Sequence, residues 1–460
     1  MSYQNGIINH LIRNSLEIIF TDNDPDNDPD HVEATITEEN IVSESMKLKQ
    51  SICDGDELRF GGCIASQFSI DLLKTADRLF ENELANRWIT VKITQTYADP
   101  DEIIYPSSTL YPSDDLYPGR VIGTHSEWIF SGYIDSAKVS KTDKNVINVV
   151  AYDIFTKLNE TDATDDLFFL YKTYGDSCSL YRLYGLINLR INSRFGISLD
   201  LEFFGETYYV DHNSKMISDF IVNNSYWKDT DKRVTYGSLI KQIYELCGLF
   251  GVITPNSGKG TIKAINLFNL PERYDFYEKL ETEDYKATGY TDFLFSVSGS
   301  NRTGKSVTAL GGLSNANDNA VEKTYDFSNN ILILQPFAYS GQSRTSTAFD
   351  YLINRTTISI RLAVIFKKRH NNGQDSMAQN DPQCYYNSFQ PLTATVDGRP
   401  WVKVGSPIEI MVNKTDVNGD YIIDPETGEI EKEAVQTYML SRTLSGIQAL
   451  TDVIEVKGAR

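Results

Sequence analysis

The stretch that decides the fold runs Phe389-Gln-Pro-Leu-Thr-Ala-Thr-Val-Asp-Gly-Arg-Pro-Trp401, then Val404-Gly-Ser-Pro-Ile-Glu-Ile410. It closes on Ser441-Arg-Thr-Leu-Ser-Gly-Ile-Gln-Ala-Leu-Thr-Asp-Val-Ile-Glu-Val-Lys-Gly458. Leu392, Ala394 and Val396 alternate with Thr393 and Thr395, and Ile408, Ile410 and Val412 with Glu409 and Met411. A period of two puts the apolar set on one face of a pleated strand, so these are half-buried β-strands. Asp397-Gly398 offers the positive-φ chemistry of a tight hairpin. Ser445-Gly446 separates two longer runs, Val435–Leu444 and Ile447–Val456. The expectation is a small antiparallel β-barrel or sheet.

The same pattern appears at the other end. Phe68, Ile70 and Leu72, then Ile89, Val91 and Ile93, then Ile147, Val149 and Ala151 each alternate with polar neighbours. Two segments interrupt them, the acidic Asp22–Asp30 and the Tyr/Pro-rich Ala98–Gly119, both too polar and proline-broken for a core and expected as protruding loops. Strand 89–97, insertion, long strand 128–140, short turn and strand 146–152 match in order and length strand 407–412, insertion, long strand 435–444, turn and strand 447–456. This reads as a long-range internal repeat. Unrelated meanders can share such an order, and that alternative stays open here.

Between the two ends the period changes. Leu180, Leu183, Tyr184, Ile187, Ile191 and Phe195 fall on helical spacing, with Gly196 placed to end the helix. A second helix is expected to carry Leu239, Ile240, Ile243, Tyr244, Cys247 and Phe250 on one face. A hairpin turning at Asn256-Ser257-Gly258 follows, and a last helix is expected over Ser346–Ile360 before a polar loop, His370–Pro382. The division expected is 1–157, a first β-barrel domain; 158–268, helical and mixed; 269–345, β-rich; and 346–460, a helix followed by a second barrel. The fold class is α+β, predominantly β, with two antiparallel barrels separated by a mixed middle.

Composition narrows the function. A chain of 460 residues exceeds a single core. The 43 Lys and Arg against 63 Asp and Glu give −20, which argues against a surface that grips nucleic-acid phosphates. Five scattered cysteines lack metal-ligand spacing and fit a reducing compartment. Met1-Ser-Tyr-Gln-Asn-Gly6 lacks the basic and apolar regions of a signal peptide, and no run of about 20 apolar residues offers a membrane span.

Chemistry-bearing motifs are few. Gly299-Ser-Asn-Arg-Thr-Gly-Lys-Ser306 matches the phosphate-binding P-loop pattern. That loop needs a following helix whose first amides hold phosphate. Here Val307-Thr-Ala-Leu-Gly-Gly-Leu313 follows, so a Gly/Ser/Asn hairpin is the expectation. Asp416-Val-Asn-Gly-Asp420 begins like a calcium loop, but Tyr421 stands where its sharp-turn glycine belongs and Thr427 where its bidentate Glu belongs. The histidines His10, His31, His125, His212 and His370 never sit at metal spacing. The expectation is no catalytic, cofactor or metal residue, and no enzyme.

Several segments carry a resemblance. Leu440-Ser-Arg-Thr-Leu-Ser-Gly-Ile447 and its continuation to Gly458, Ile41-Val-Ser-Glu-Ser-Met-Lys-Leu48, the run Cys53–Phe68, Val150-Ala-Tyr-Asp-Ile154 and Asn330–Phe337 are similar to the tail-tip (baseplate) hub proteins of phages and prophages of Gram-positive bacteria. The resemblance implies two tube-type barrels per chain and a homotrimer forming a pseudo-sixfold ring that caps the tail tube. It implies as partners the distal tail protein, the tube and tape-measure proteins and tail fibre or spike proteins. Viral DNA would cross the lumen without specific binding. The implied location is the virion tail, after synthesis in the bacterial cytoplasm, with no membrane insertion. The alternatives are a P-loop enzyme using Gly299–Ser306, and a spike base of a contractile injection system.

Overall fold

The computed structural model describes residue 7, residues 11–265 with breaks (the longest at 22–31, 53–60, 75–83, 105–118 and 224–232), short strands between 278 and 334, and residues 390–458 apart from 415–419. The fold is α+β and predominantly β. The first strands are β1 (Leu11–Thr21), β2 (Val32–Ile36), β3 (Lys47–Ser51), β4 (Gln67–Leu73), β5 (Trp88–Ile104), β6 (Gly119–Val139) and β7 (Val146–Tyr152). Helices α1 (Ile154–Glu160), α2 (Thr164–Tyr174), α3 (Leu180–Phe195) and α4 (Tyr236–Cys247) follow. Among and after them lie β8 (Ser177–Ser179), β9 (Ser198–Leu199), β10 (Thr207–Val210), β11 (Asn213–Met216), β12 (Ile221–Asn223), β13 (Phe250–Thr254) and β14 (Thr261–Ile265). Then come β15 (Glu278–Glu281), β16 (Asp284–Ala287), β17 (Leu294–Phe295), β18 (Ser306–Gly311), β19 (Val321–Asp326) and β20 (Ile333–Leu334). The last are β21 (Gln390–Asp397), β22 (Pro407–Asn413), β23 (Lys432–Ser445) and β24 (Thr451–Gly458).

Alternation becomes burial as the pleat requires. Along β4, Phe68, Ile70 and Leu72 are buried while their neighbours are half-buried. In α3 the six apolar residues at helical spacing are all buried. Burying each such side chain contributes about 1.5–3 kcal/mol. Gly196, at φ 68, takes the left-handed turn that ends α3, and its N–H donates to the Asn192 carbonyl. At the junction of sheet and helices, Asp153 caps α1. Its carboxylate accepts from the Phe155 N–H at 3.0 Å and the Ser66 N–H at 2.6 Å.

Among the described residues thirteen strands join in one sheet, in the order β16-β21-β24-β23-β3-β4-β7-β6-β5-β1-β2, with β22 on β23 and β15 on β22. The predominantly β class expected from the sequence holds, with two buried cores and no closed barrel detected among the described strands. The described strands form one continuous path, because β3 pairs with β4 on one edge and with β23 on the other. A strand edge is a row of unpaired N–H and C=O groups, and pairing satisfies it.

Four details of the sequence reading change. Asp397-Gly398 is not a hairpin: β21 pairs with β24 and β16, not β22, and residues 398–406 form a loop that buries Val402 and Val404. The last strand starts at Thr451, not Ile447, since Ile447 and Leu450 of the preceding turn are drawn into the other core. Ala98–Ile104 continues β5 and Gly119 opens β6, so only residues between them can be a loop. Phe250 lies in β13, beyond the end of α4. The hairpin after α4 forms as expected, with β13 antiparallel to β14. Asp22–Asp30, the helix over Ser346–Ile360 and the loop His370–Pro382 lie outside the described residues.

Candidate assembly interface

The repeat read from the sequence is present in the hydrogen-bonding order. In the first half β6 pairs with β5 as far as Tyr133, then with β7 from Tyr133 onward. In the second β23 pairs with β22 as far as Tyr438, then with β24 from Met439. Each long strand slips register just after the switch, at Ile134/Ser136 and at Met439/Ser441. On the far side β4 lies on β7, and β21 on β24. Two copies of the order β4-β7-β6-β5 therefore occur in one chain, the second as β21-β24-β23-β22.

The two copies meet where β3 pairs with β23, from Ser51 against Ser441 to Lys47 against Ser445. The turn after β23 completes the first copy's core: Leu444, Ile447 and Leu450 cluster with Leu16, Leu48, Phe68 and Ile93. Gly446 makes the turn at φ 87, and its N–H donates to the Met46 carbonyl at 3.0 Å. Glu44 then accepts from two turn amides, Ile447 N–H at 2.7 Å and Gln448 N–H at 3.0 Å. Glu44 holds φ 56, the left-handed region that a side chain disfavours. Asn14 ties the other side of the turn, its Nδ2 donating to the Gln448 carbonyl at 3.1 Å and its Oδ1 accepting from Gln95 Nε2 at 3.0 Å.

No protein-family model matches the sequence, and no curated protein sequence matches it. Solved structures similar to this chain include prophage and other tail proteins and a VgrG-containing complex. A tail protein from Neisseria meningitidis MC58 is 11% identical, with a TM-score of 0.41 over 97% of this chain and 96% of that one. The 43 kDa tail protein of prophage MuSo2 from Shewanella oneidensis is 11% identical, with a TM-score of 0.41 over 96% and 97%. The prophage tail protein gp18 from Listeria monocytogenes EGD-e is 10% identical, with a TM-score of 0.43 over 96% and 94%.

Two ionic contacts hold the second copy's loop. Arg442 and Asp452, 1% and 2% exposed, pair inside it, and the guanidinium also donates to the Val402 and Arg399 carbonyls. Breaking such a buried pair costs about 3–5 kcal/mol, because a charge is left without a partner. Lys403 crosses to the first copy, donating to the Trp128 carbonyl at 3.2 Å with Glu127 at 3.4 Å. Burial holds its ammonium down at about 8, against the upward pull of Glu127. The Asp153 carboxyl, buried at the cap, is pushed up to about 7 by loss of solvent, while its hydrogen bonds pull the other way.

The sequence motifs lie apart from this junction. Gly299–Lys305 lie outside the described residues, and Ser306 opens β18, which pairs antiparallel with β19. A strand thus stands where a P-loop would start its helix. Asp416–Asn418 and Gly419 also lie outside the described residues, in the connection from β22 to β23. Among the described residues no three His, Cys, Asp or Glu side chains group as a metal site. Burial pushes the Cys63 thiol up to about 12, the opposite of an activated nucleophile. Neither Glu44 nor Lys403 was singled out from sequence. Glu44 lies inside the quoted run Ile41–Leu48, where only its partner turn, some four hundred residues away, gives it a role.

Proposed function

We propose that this chain is the structural hub of a phage tail tip, a homotrimer whose six β-units form a pseudo-sixfold ring. In this role it caps the tail tube, anchors neighbouring tip proteins and opens for DNA passage. One observation carries the reading: a single chain holds two copies of one strand order, joined side by side through β3 and β23. Three chains so built present six equivalent units, the number a sixfold tube requires, and a cyclic ring closes through head-to-tail contacts. The resemblance of the segments around Ile41–Leu48 and Leu440–Gly458 to tail-tip hub proteins supports the same role. Its partners are then the distal tail, tube and tape-measure proteins and a fibre or spike protein, with DNA passing unbound through the lumen. No helix among the described residues is long and apolar enough to cross a membrane.

Native mass spectrometry of the purified chain, with and without ATP and Mg²⁺, tests this. A species of three chains without nucleotide is expected, unchanged by Lys305→Ala. A monomer at every concentration, or nucleotide bound in stoichiometric amount, overturns the reading.

A further inference from the structure

The junction inside the chain is a template for the junction between chains. The inference rests on the ring just proposed and assigns the strand edges that close it. Through the paired registers, each position of the first copy has a counterpart in the second. Ile134 and Met439 are equivalent, opposite Ala151 and Val456, and so are Phe68 and Leu392 across the same two residues. Leu48 pairs with Phe68, and Ala287 with Leu392, so β16 stands to the second copy as β3 stands to the first. Val139 likewise answers to Leu444, and Ser140 to Ser445.

In the first copy, the outer edge of β3 is occupied by β23. In the second, β16 ends the sheet, with no described strand on its outer edge. The edge of β6 that corresponds to the occupied edge of β23, over Ser136–Val139, also has no described strand on the side away from β7. These are the two halves of one contact, left open at opposite ends of the chain. Exposed edges of this kind pair with another strand. We infer that β16 of one copy adds to β6 of the next, with Ala287 opposite Val139 and Lys286 opposite Ser140.

The sequence around the edges agrees. Ser45-Met-Lys-Leu48 aligns through these registers with Asp284-Tyr-Lys-Ala287, so Lys286 has the place of Lys47, and in the sequence a Glu precedes each run, Glu44 and Glu283. The turns also have equal length, from Ser445 to Thr451 and from Ser140 to Val146. Their chemistry differs. Ile447 and Leu450 are buried in the neighbouring copy, whereas Lys141, Thr142, Asp143, Lys144 and Asn145 are all exposed. The first edge carries Lys138, Lys141 and Lys144 with Asp135 and Asp143. The segment holding β15 and β16 carries Glu278, Glu281, Glu283 and Asp284 with Lys279 and Lys286, so the balance is slightly basic on one side and slightly acidic on the other. The contact within the chain is locked by apolar burial, and the contact between chains would be polar. A polar junction of this kind separates and re-forms, as assembly around a tube end requires.

Cysteine pairs test the assignment. Directly opposed strand residues lie about 4.5–5.5 Å apart at Cα, within disulfide reach. On oxidation, the double variant Lys286→Cys/Ser140→Cys is expected to run as linked species up to three chains, reversed by reductant. Each single variant is expected to remain one chain, which controls for the native cysteines. Lys47→Cys/Ser445→Cys is expected to close within one chain. A three-chain native mass with no link between positions 286 and 140 of the double variant, while the internal control closes, overturns the edge assignment and leaves the ring standing. A monomer in native mass overturns both.

Discussion

Glu44 shows at the residue scale how a strained position can be held by what it binds. A non-glycine residue at positive φ costs roughly 1–2 kcal/mol, and here the carboxylate offsets that by accepting from the Ile447 and Gln448 amides. Glu44→Ala keeps the strain and removes both acceptors; Glu44→Gly removes the acceptors and the strain together. We expect Ala to lower the melting temperature more than Gly does, by the equivalent of about 1 kcal/mol. Equal losses would show that the backbone angle contributes nothing. The sequence offered no pointer to this, since a Glu in a polar loop is usually a solvated charge. A helix terminus is different, because Gly196 announces its own positive φ by lacking a side chain.

At the scale of elements, periodicity was a good guide wherever a segment touches one neighbour on one face. β4, β7 and α3 are legible for that reason, their apolar sets being buried where the period places them. It failed at boundaries set by distant partners. Phe250 continues the three-residue spacing from Cys247, yet pairing with Ile265 makes it a strand residue. Asp397-Gly398 has the composition of a hairpin, yet the partner of β21 is the chain's last strand. Asp153 joins two elements, capping α1 while fixing Ser66 ahead of β4, and its burial has a measurable consequence. The folded state keeps the Asp153 proton up to about pH 7, whereas its ordinary value is 3.8. Folded protein therefore binds more protons across that window, and this group's contribution to stability falls as pH rises from about 4 to about 7. Thermal midpoints of wild type and Asp153→Asn across that range test it. The wild type is expected to lose stability relative to the variant as pH rises, and parallel curves would refute the shift.

For the whole molecule, the decisive contact joins residues 47–51 to residues 441–445, and no local pattern in a sequence encodes a pairing at that distance. The repeat was visible in order and length; that its copies share one sheet was not. Sharing a sheet has a thermodynamic signature. Leu444 is fully buried, sits on β23 and belongs to the core of the first copy. Its substitution by Ala should cost about 2–5 kcal/mol through lost burial and the cavity left behind. If the copies were independent barrels, a defect in the second would leave amide protection in the first unchanged. With β3 bridging them, opening the β23 end also frees the edge of β3 and, through it, β4. Native-state hydrogen exchange on Leu444→Ala is therefore expected to show faster exchange in β3 and β4 as well as in β23 and β24. Faster exchange confined to β21–β24 would mean that the two copies open separately and that the shared sheet does not couple them.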